Sequence, residues 1–285
     1  MDQNGNGHAR FAIITGDDFG SSAAVNEGII QAHERGVLTS ASLMVTGEAF
    51  EEAVRLARLH PRLGVGLHLV VSSGPPALDA GQVPHLVDSE GRFPSDLVKA
   101  GLRYQFSPAA RRELAAEIRA QLEKFRRTGL KLSHVDGHQH MHMHPVVLGT
   151  LIDLAEEFGI RAIRLPREEL AIAVRLDRSR LLTKFAYSWV FGWLRRWAGA
   201  RLRSARIEFA DRVYGLLQTG RMTEEYLLAL IPRIQGNRVE IYSHPTLAVG
   251  NHSPRGASKA QLDALLSPGV RKALVSSGFQ LATYS

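Results

Sequence analysis

Short apolar or β-branched runs alternate with longer stretches of helical periodicity along the whole chain. Predicted strands occupy residues 11–15, 40–45, 64–70, 131–135, 161–165, 206–209, 239–242 and 279–283. Helical stretches between them include residues 23–35, 50–59, 108–127, 146–158 and 223–231. Gly36, Gly129 and Gly159 each follow the last apolar turn of one of these stretches, a position where glycine commonly ends a helix.

This alternation predicts parallel strands joined by helices, because each helix carries the chain back to start the next strand in the same direction. Seven or eight such strands in 285 residues fit one α/β domain, a (β/α) barrel spanning residues 1–285. No GxGxxG or GxxxxGK[ST] motif occurs, which argues against a nucleotide-binding fold. Residues 72–94 are rich in Pro and Gly and predict a long loop, and long loops in compact domains are usually functional.

The chain contains no cysteine, which excludes disulfides, thiolate metal ligands and a cysteine nucleophile. Its first residues show neither the charged nor the apolar region of a signal peptide. The apolar stretch 185–197 is interrupted by Gly192, Arg195 and Arg196 and is too short to cross a bilayer as a helix. We therefore expect a cytoplasmic protein that is at most peripheral to the inner membrane surface.

The net charge of +7 is concentrated in residues 171–206, which contain nine Lys/Arg and a single acid, Asp177. A basic excess confined to one segment predicts a local basic surface and no nucleic-acid partner. The same segment predicts a helical insertion with interleaved aromatic residues: Phe185, Tyr187, Trp189, Phe191, Trp193 and Trp197. Such a helix could lie on an anionic membrane, or it could be a lid whose aromatic side chains pack on the barrel.

Four groups of polar residues lie at the C-terminal ends of predicted strands. They are the pair Asp17 and Asp18, the single His68, the histidine-rich segment 134–144, and His244. In a (β/α) barrel that edge carries the active site. Acids and imidazoles that meet there form a site for a divalent cation with open coordination positions.

Each group also has a simpler interpretation. The two aspartates could form a turn and cap the next helix, and His68 could be a half-buried core residue. His244 precedes Pro245, which favours an extended backbone whatever its function. Five histidines within residues 134–144 are harder to explain in this way. The occurrence of all four groups at equivalent strand ends favours the metal site.

The same residues carry a resemblance to a known family. The segments DDFG (17–20), GLHLV (66–70), HVDGHQHMH (134–142) and SHP (243–245) resemble the YdjC-like carbohydrate deacetylases, relatives of chitooligosaccharide deacetylase. The segments AVNEGI, GVLTSASLMVTG, GVGLHLV and VDSEGRF further resemble the hopanoid-biosynthesis-associated branch. The resemblance implies a (β/α) barrel of the glycoside hydrolase/deacetylase type with one catalytic divalent ion.

Carried over position by position, the resemblance implies that Asp18, His68 and His138 bind the metal. Asp17 would be the general base and His244 the general acid. Zn²⁺ suits one carboxylate and two imidazoles best, and Mg²⁺ stays open. The implied reaction removes the acetyl group from an N-acetylated amino sugar, with a lipid-linked (hopanoid) N-acetylglucosamine as the narrower expectation.

Several nearby residues keep two interpretations. Asp136 could orient a ligand imidazole or form a turn beside Gly137. Arg164 could contact a sugar hydroxyl or form a structural ion pair. His140, His142 and His144 could bind substrate or have no role in the site.

Two other functions remain open at this stage. A metal-dependent phosphoesterase or amidohydrolase would use a related barrel, although phosphoesterases commonly need two metals and more acids. A non-catalytic sugar- or lipid-binding protein would hold a structural metal with closed coordination, whereas a catalytic metal keeps a position for water or acetate.

Overall fold

The computed structural model describes residues 9–248 and 256–284. Its strands in that part of the chain are β1 (Arg10–Phe19), β2 (Ser40–Leu43), β3 (Gly64–Leu69), β4 (Val135–Gly137), β5 (Arg212–Tyr214), β6 (Arg238–Ser243) and β7 (Phe279–Ala282). Its α-helices are α1 (Ala23–Arg35), α2 (Phe50–Leu59), α3 (Leu97–Phe106), α4 (Pro108–Arg127), α5 (Pro145–Asp153), α6 (Ala155–Phe158), α7 (Leu170–Leu176), α8 (Leu181–Ser204), α9 (Glu224–Leu230), α10 (Lys259–Leu266) and α11 (Pro268–Ser276). Short 3₁₀ helices occupy Ala80–Gln82, His138–Met143 and Ile231–Arg233.

Strand β1 is the centre of the sheet. It pairs with β6, with β2 through its second half, and with β7 through its first four residues. The sheet continues from β2 through β3 to β4, and from β6 to β5, and all of these pairs are parallel. The β1 side chains are buried from Ala12 to Phe19, as expected for a parallel strand covered on both faces.

The ring closes between β4 and β5 through single backbone bridges. Val135 pairs with Ile163, and Ala162 pairs with Glu208, both in the parallel sense. Arg167 then pairs with Val213 of β5 in the antiparallel sense. The prediction of a (β/α) barrel with seven or eight mostly parallel strands is therefore confirmed.

The core lies between the strands and the surrounding helices. Ile14, Leu43, Leu67, Ile163 and Ile241 are at most 2% exposed. Close packing of this kind holds the strand ends in fixed relative positions. The backbone that carries the side chains at those ends is therefore rigid.

Three predicted strands are wrong in detail, and the first of them, over residues 131–135, begins only at Val135 and runs to Gly137 as β4. Residues 161–165 and 206–209 form only the isolated bridges, and the three-residue strand β5 was not expected. At Arg164 the backbone N–H donates to Val135 O, while its carbonyl faces Nε2 of His142 at 3.0 Å. A side chain thus occupies the place where a neighbouring strand would continue the pairing.

The helix predictions for α1, α2 and α4 are confirmed to the residue. Ser22 begins α1 by accepting the Val25 N–H, and Ser107 begins α4 by accepting the Ala110 N–H, with Pro108 at the first helical position. The expected helix over 146–158 divides at Leu154 into α5 and α6. Helices α3, α10 and α11 were not predicted.

The segment 171–206 forms most of α7 and all of α8, which pack against each other. Asp177 lies between them, and its carboxylate accepts Lys184 Nζ at 3.1 Å and Gln218 Nε2 at 2.9 Å. No helix among residues 9–248 and 256–284 is both long and apolar enough to cross a membrane. Residues 1–8, used for the signal-peptide expectation, lie outside the described residues.

Candidate active site

The C-terminal ends of four strands bring the five predicted site residues to one cavity. Asp17 and Asp18 lie near the end of β1, His68 lies near the end of β3, His138 directly follows β4, and His244 directly follows β6. All five line a cavity of about 1130 Å³. The barrel edge at which the sequence placed them is therefore the edge at which they meet.

An irregularity in the pairing of β1 lies at the two consecutive aspartates, which both reach the same cavity. The pairing of β1 with β2 shifts register between Gly16 and Phe19, and Asp18 has a φ of 64°. Neighbouring side chains of a regular strand point to opposite faces, whereas a bulge redirects them. The left-handed backbone of a non-glycine residue is costly, and such strain is concentrated at functional sites.

Asp18, His68 and His138 form a compact group of potential metal ligands. Asp18 Oδ1 lies 3.1 Å from His138 Nδ1 and 3.3 Å from His68 Nε2. One donor atom from each residue lies within 4.8 Å of the other two. One carboxylate oxygen and two imidazole nitrogens are a donor set that suits a divalent ion with positions left for water and substrate.

The electrostatics of this group attract positive charge. Burial raises the pKa of Asp18, but the hydrogen bonds with His138 and His68 outweigh burial and hold that pKa well below its usual range. Burial also lowers the pKa of His68, yet the attraction and hydrogen bond of Asp136 and the hydrogen bond with Asp18 raise it to about 10. A metal cation at Nε2 of His68 would replace the proton that gives this imidazole its positive charge.

Asp136 orients the His68 ring. Its Oδ1 lies 2.8 Å from His68 Nδ1, and its Oδ2 accepts Ser42 Oγ at 2.8 Å. His68 and Asp136 are direct partners in the parallel pairing of β3 and β4. The Asp136 carboxylate thus engages Nδ1 and leaves Nε2 of His68 facing Asp18. A metal-binding histidine commonly has such a carboxylate at its other ring nitrogen.

Arg164 connects the carboxylates beneath the site. Its Nη1 and Nη2 donate to Asp17 Oδ2 and Oδ1 at 2.7 and 2.8 Å, and Nη1 also lies 2.7 Å from Asp136 Oδ2. Its Nε and Nη2 donate to Glu240 Oε1 at 3.0 and 2.8 Å. The guanidinium is fully buried, and these carboxylates outweigh the effect of burial and raise its pKa well above the usual value. Of its two interpretations, Arg164 therefore has the ion-pair role.

Asp17, His68 and Asp136 form a second group with metal-ligand spacing. The Arg164 guanidinium already contacts both carboxylates of this group. Placing a divalent cation there would bring two positive charges together. The group around Asp18 is the better cation site.

His244 faces Asp17 across the cavity floor. Its Nε2 lies 4.0 Å from Asp17 Oδ2, while its Nδ1 is buried and has no hydrogen-bond partner among the described residues. The Gln261 side chain holds the His244 backbone by accepting its N–H at 3.2 Å and donating to its carbonyl at 3.4 Å. The residue after His244, Pro245, is held in place by its backbone pairing with Ser258.

The histidine-rich segment separates into different roles. His134 is buried against Ser42 and stacks on Tyr284, and His142 is buried against the Arg164 carbonyl. His144 caps α5 by accepting the Val146 N–H. His140 lines the cavity, with Nε2 2.8 Å from Tyr242 Oη. Apart from His138, only His140 is placed to meet a substrate.

Sequence reasoning did not single out Glu240, Gln261 or Ser42. Glu240 was the most visible, since a charged residue inside the apolar run VEIY signals a buried ion pair. Gln261 lies on α10, which was not predicted, so nothing in the sequence connects it with His244. Ser42 sits in an ordinary β-strand run, where serine carries no special signal.

The cavity walls come from segments outside the barrel. The loop 72–94 contributes Ser73, Asp88, Glu90, Arg92 and Phe93, so this expected long loop lies at the site. Helix α8 contributes Thr183, Lys184, Tyr187 and Phe191, and the turn after β5 contributes Leu216 and Leu217. The floor is therefore polar and charged, while one wall is largely apolar.

Comparisons with known proteins identify the family of this chain. Residues 11–276 match the model of the family described as YdjC-like protein. A carbohydrate deacetylase of Geobacillus stearothermophilus is 34% identical over 96% of this chain and 97% of its own length. A carbohydrate deacetylase of Brevibacillus brevis is 49% identical over 52% of this chain, and the match spans 56% of that relative.

A solved structure shares the whole fold. It comes from Enterococcus faecalis V583 and is described as a candidate cellobiose-phosphate cleavage protein. It is 26% identical and has a TM-score of 0.72 over 97% of this chain and 98% of the other.

Proposed function

Since the chain belongs to the YdjC-like protein family, we propose that it is a metal-dependent hydrolase that removes the acetyl group from an N-acetylated amino sugar. The observation that carries this proposal is the meeting of Asp18, His68 and His138 beside the Asp17 carboxylate in one cavity. The curated relatives described as carbohydrate deacetylases support the substrate class.

In this proposal Asp18, His68 and His138 hold one divalent ion, with Zn²⁺ favoured by two imidazole donors and Mg²⁺ as the alternative. When bound, the ion would supply Lewis acidity toward the acetyl carbonyl oxygen and the attacking water. Asp136 keeps His68 in the orientation that the ligand role requires.

Asp17 accepts the proton of the attacking water, and Arg164 holds both of its oxygens so that the carboxylate has one orientation. His244 delivers a proton to the departing amine nitrogen. An amide nitrogen leaves poorly without that proton, so His244→Ala slows turnover while the metal stays bound. The 4.0 Å separation of His244 Nε2 and Asp17 Oδ2 supports this pair of roles, because both groups then lie within reach of one substrate amide.

We further propose that the substrate is a lipid-linked sugar of the hopanoid type. The cavity, at about 1130 Å³, exceeds the size of most drug-sized ligand pockets, and its wall of Tyr187, Phe191, Leu216 and Leu217 would suit an apolar group attached to the sugar. The sequence segments that resemble the hopanoid-associated branch support the same substrate.

Phosphoesterases, the competing class, commonly need a second metal near the first. The only other group of metal-ligand spacing in residues 9–248 and 256–284 contains the two carboxylates that Arg164 occupies. A guanidinium there leaves one cation site, which favours hydrolysis of an amide over hydrolysis of a phosphoester.

The test is acetate release from an N-acetylglucosamine oligosaccharide, measured before metal removal, after chelation, and after Zn²⁺ or Mg²⁺ is restored. We expect activity to disappear on chelation and to return with the ion. His60→Ala is the matched control, since His60 pairs with Glu34 and does not line the cavity. Acetate release that continues in protein shown by elemental analysis to be metal-free would rule out the metal-dependent mechanism.

A further inference from the structure

Helix α8 has two different apolar faces. Ala198 and Leu202 are buried against the barrel, and Tyr187 and Phe191 line the cavity. Leu182, Phe185, Trp189 and Trp193 follow one another at helical spacing on the opposite side and are 87%, 54%, 79% and 60% exposed. Five of the six aromatic residues of the insertion therefore separate into a cavity set and an outward set, and the sixth, Trp197, packs against the hydrophobic core.

Helix α3 repeats this arrangement on a smaller scale. Val98, Leu102 and Phe106 lie four residues apart on one side of the helix and are 73%, 55% and 73% exposed. Leu97 at the start of α3 lines the same cavity as α8 does, and both helices pack against α5. Two helices that border one cavity thus each present an apolar stripe to the outside.

The charged residues within the two helices have one sign. Neither α3 nor α8 contains Asp or Glu, whereas α3 carries Lys99 and Arg103. Helix α8 adds Arg195, Arg196, Arg201 and Arg203, whereas its Lys184 is buried and paired with Asp177. An apolar, tryptophan-bearing stripe flanked by Lys and Arg is the composition of helices that lie in the interface of an anionic bilayer.

We propose that the outward stripes of α3 and α8 form a docking surface for an anionic lipid bilayer. We define the docking surface as Val98, Leu102, Phe106, Leu182, Phe185, Trp189 and Trp193. Because α8 presents Tyr187 and Phe191 to the cavity from its other side, docking places the cavity beside the headgroup layer. That this position serves a lipid-linked acetylated sugar rests on the function proposed above; the docking itself does not.

The positive charge of α8 favours a lipid bilayer over a second copy of the chain as the partner of the docking surface. A two-fold contact would place the same stripe of each copy against the other, so that the arginines of α8 would face one another. Anionic headgroups instead neutralise those arginines, and each basic residue near the surface adds to the attraction.

The test is co-flotation with vesicles of phosphatidylcholine alone and of phosphatidylcholine mixed with phosphatidylglycerol. We expect binding to the mixed vesicles, weakened by salt, and little binding to phosphatidylcholine alone. Replacing both Trp189 and Trp193 with Ser should weaken binding at least about tenfold, since two large side chains no longer enter the interface. Leu59→Ser and Val275→Ser remove similarly exposed apolar residues from α2 and α11 and should leave binding unchanged.

The proposal is overturned if the wild-type protein stays unbound to the mixed vesicles, or if the double tryptophan variant floats with them equally well. It is also overturned if light scattering shows a dimer that the double variant disrupts, because the stripe would then be an interface between copies. Acetate release from a soluble oligosaccharide, measured on the same samples, separates the two proposals. Flotation without acetate release from either this oligosaccharide or a lipid-linked N-acetylglucosamine would reject the deacetylase and leave the docking surface standing.

Discussion

Both terminal nitrogens of Arg164 donate to the Asp17 carboxylate, at 2.7 and 2.8 Å, in a pair that is almost completely excluded from solvent. A planar guanidinium holds two carboxylate oxygens through two parallel hydrogen bonds, whereas an ammonium group acts as a compact point charge without that fixed geometry. The pair therefore fixes the direction of the Asp17 oxygens as well as their charge.

We expect Arg164→Lys to lower turnover about 100-fold, because a misdirected base loses much of its effect even when its charge is kept. Metal content should stay at the wild-type level, since Asp18, His68 and His138 are unchanged. Steady-state kinetics of acetate release together with elemental analysis provide the measurement. Arg119→Lys, at the exposed ion pair with Glu157, is the control. Wild-type turnover in Arg164→Lys would show that the orientation of Asp17 is unimportant.

The metal-ligand assignment predicts that His68→Ala or His138→Ala abolishes both metal retention and activity. Each substitution removes one of three donor atoms, and two donors bind a divalent ion weakly. The bound ion can be counted by elemental analysis after gel filtration, with His60→Ala as the control. Full metal occupancy in both variants would remove these two residues from the site.

Gly66 on β3 is predicted to tolerate no side chain. A Cβ at this position would lie 2.5 Å from ring atoms of the buried His134, which is itself held against Ser42 and Tyr284. We expect Gly66→Ala to lower the free energy of unfolding by about 1–3 kcal/mol in urea titrations. Gly149→Ala on α5, where a Cβ meets no atom within 4 Å, should be neutral or stabilising. Equal stability of the two variants would contradict the packing described for His134.

The buried Glu168 carboxyl should make the free energy of unfolding depend on pH. Its Oε1 accepts the N–H groups of Gly215, Leu216 and Leu217, two of which line the cavity, and burial raises its pKa to about 7 despite these bonds. Between about pH 4.5 and 7 the folded protein then holds this proton more tightly than the unfolded chain, so stability falls as pH rises.

The loss should be on the order of 2 kcal/mol, because partial solvent access reduces the full effect of the shift. Urea unfolding at about pH 5 and about pH 8 measures it, and Glu168→Gln should remove this part of the pH dependence. An unchanged pH profile in Glu168→Gln would show that the carboxyl stays ionised throughout.

The sequence predicted the barrel because its clearest strands and helices carry strong periodic patterns. It misplaced the closure of the ring, where β5 is three residues long and residues 161–165 bond partly to the His142 side chain. Patterns of alternation cannot reveal such short pairings, since they need several residues to be visible.

The five candidate site residues were named correctly as neighbours, because the ends of parallel strands share one edge. Asp136 had two open interpretations, and it is found to orient an imidazole, that of His68 on the adjacent strand. The identity of that imidazole depends on the register of β3 with β4, which becomes visible only in three dimensions. The assignment of Arg164 to Asp17, Asp136 and Glu240 depends in the same way on closure of the barrel.

The central claim is that Asp17 is the general base and Asp18 is a metal ligand, and one paired measurement tests it. Asp17→Asn and Asp18→Asn are assayed side by side for bound metal and for acetate release. Asp17→Asn should keep the ion and lose about 10²- to 10⁴-fold in turnover, whereas Asp18→Asn should lose the ion itself. Equal metal loss in the two variants, or wild-type turnover in Asp17→Asn, would contradict the assigned roles.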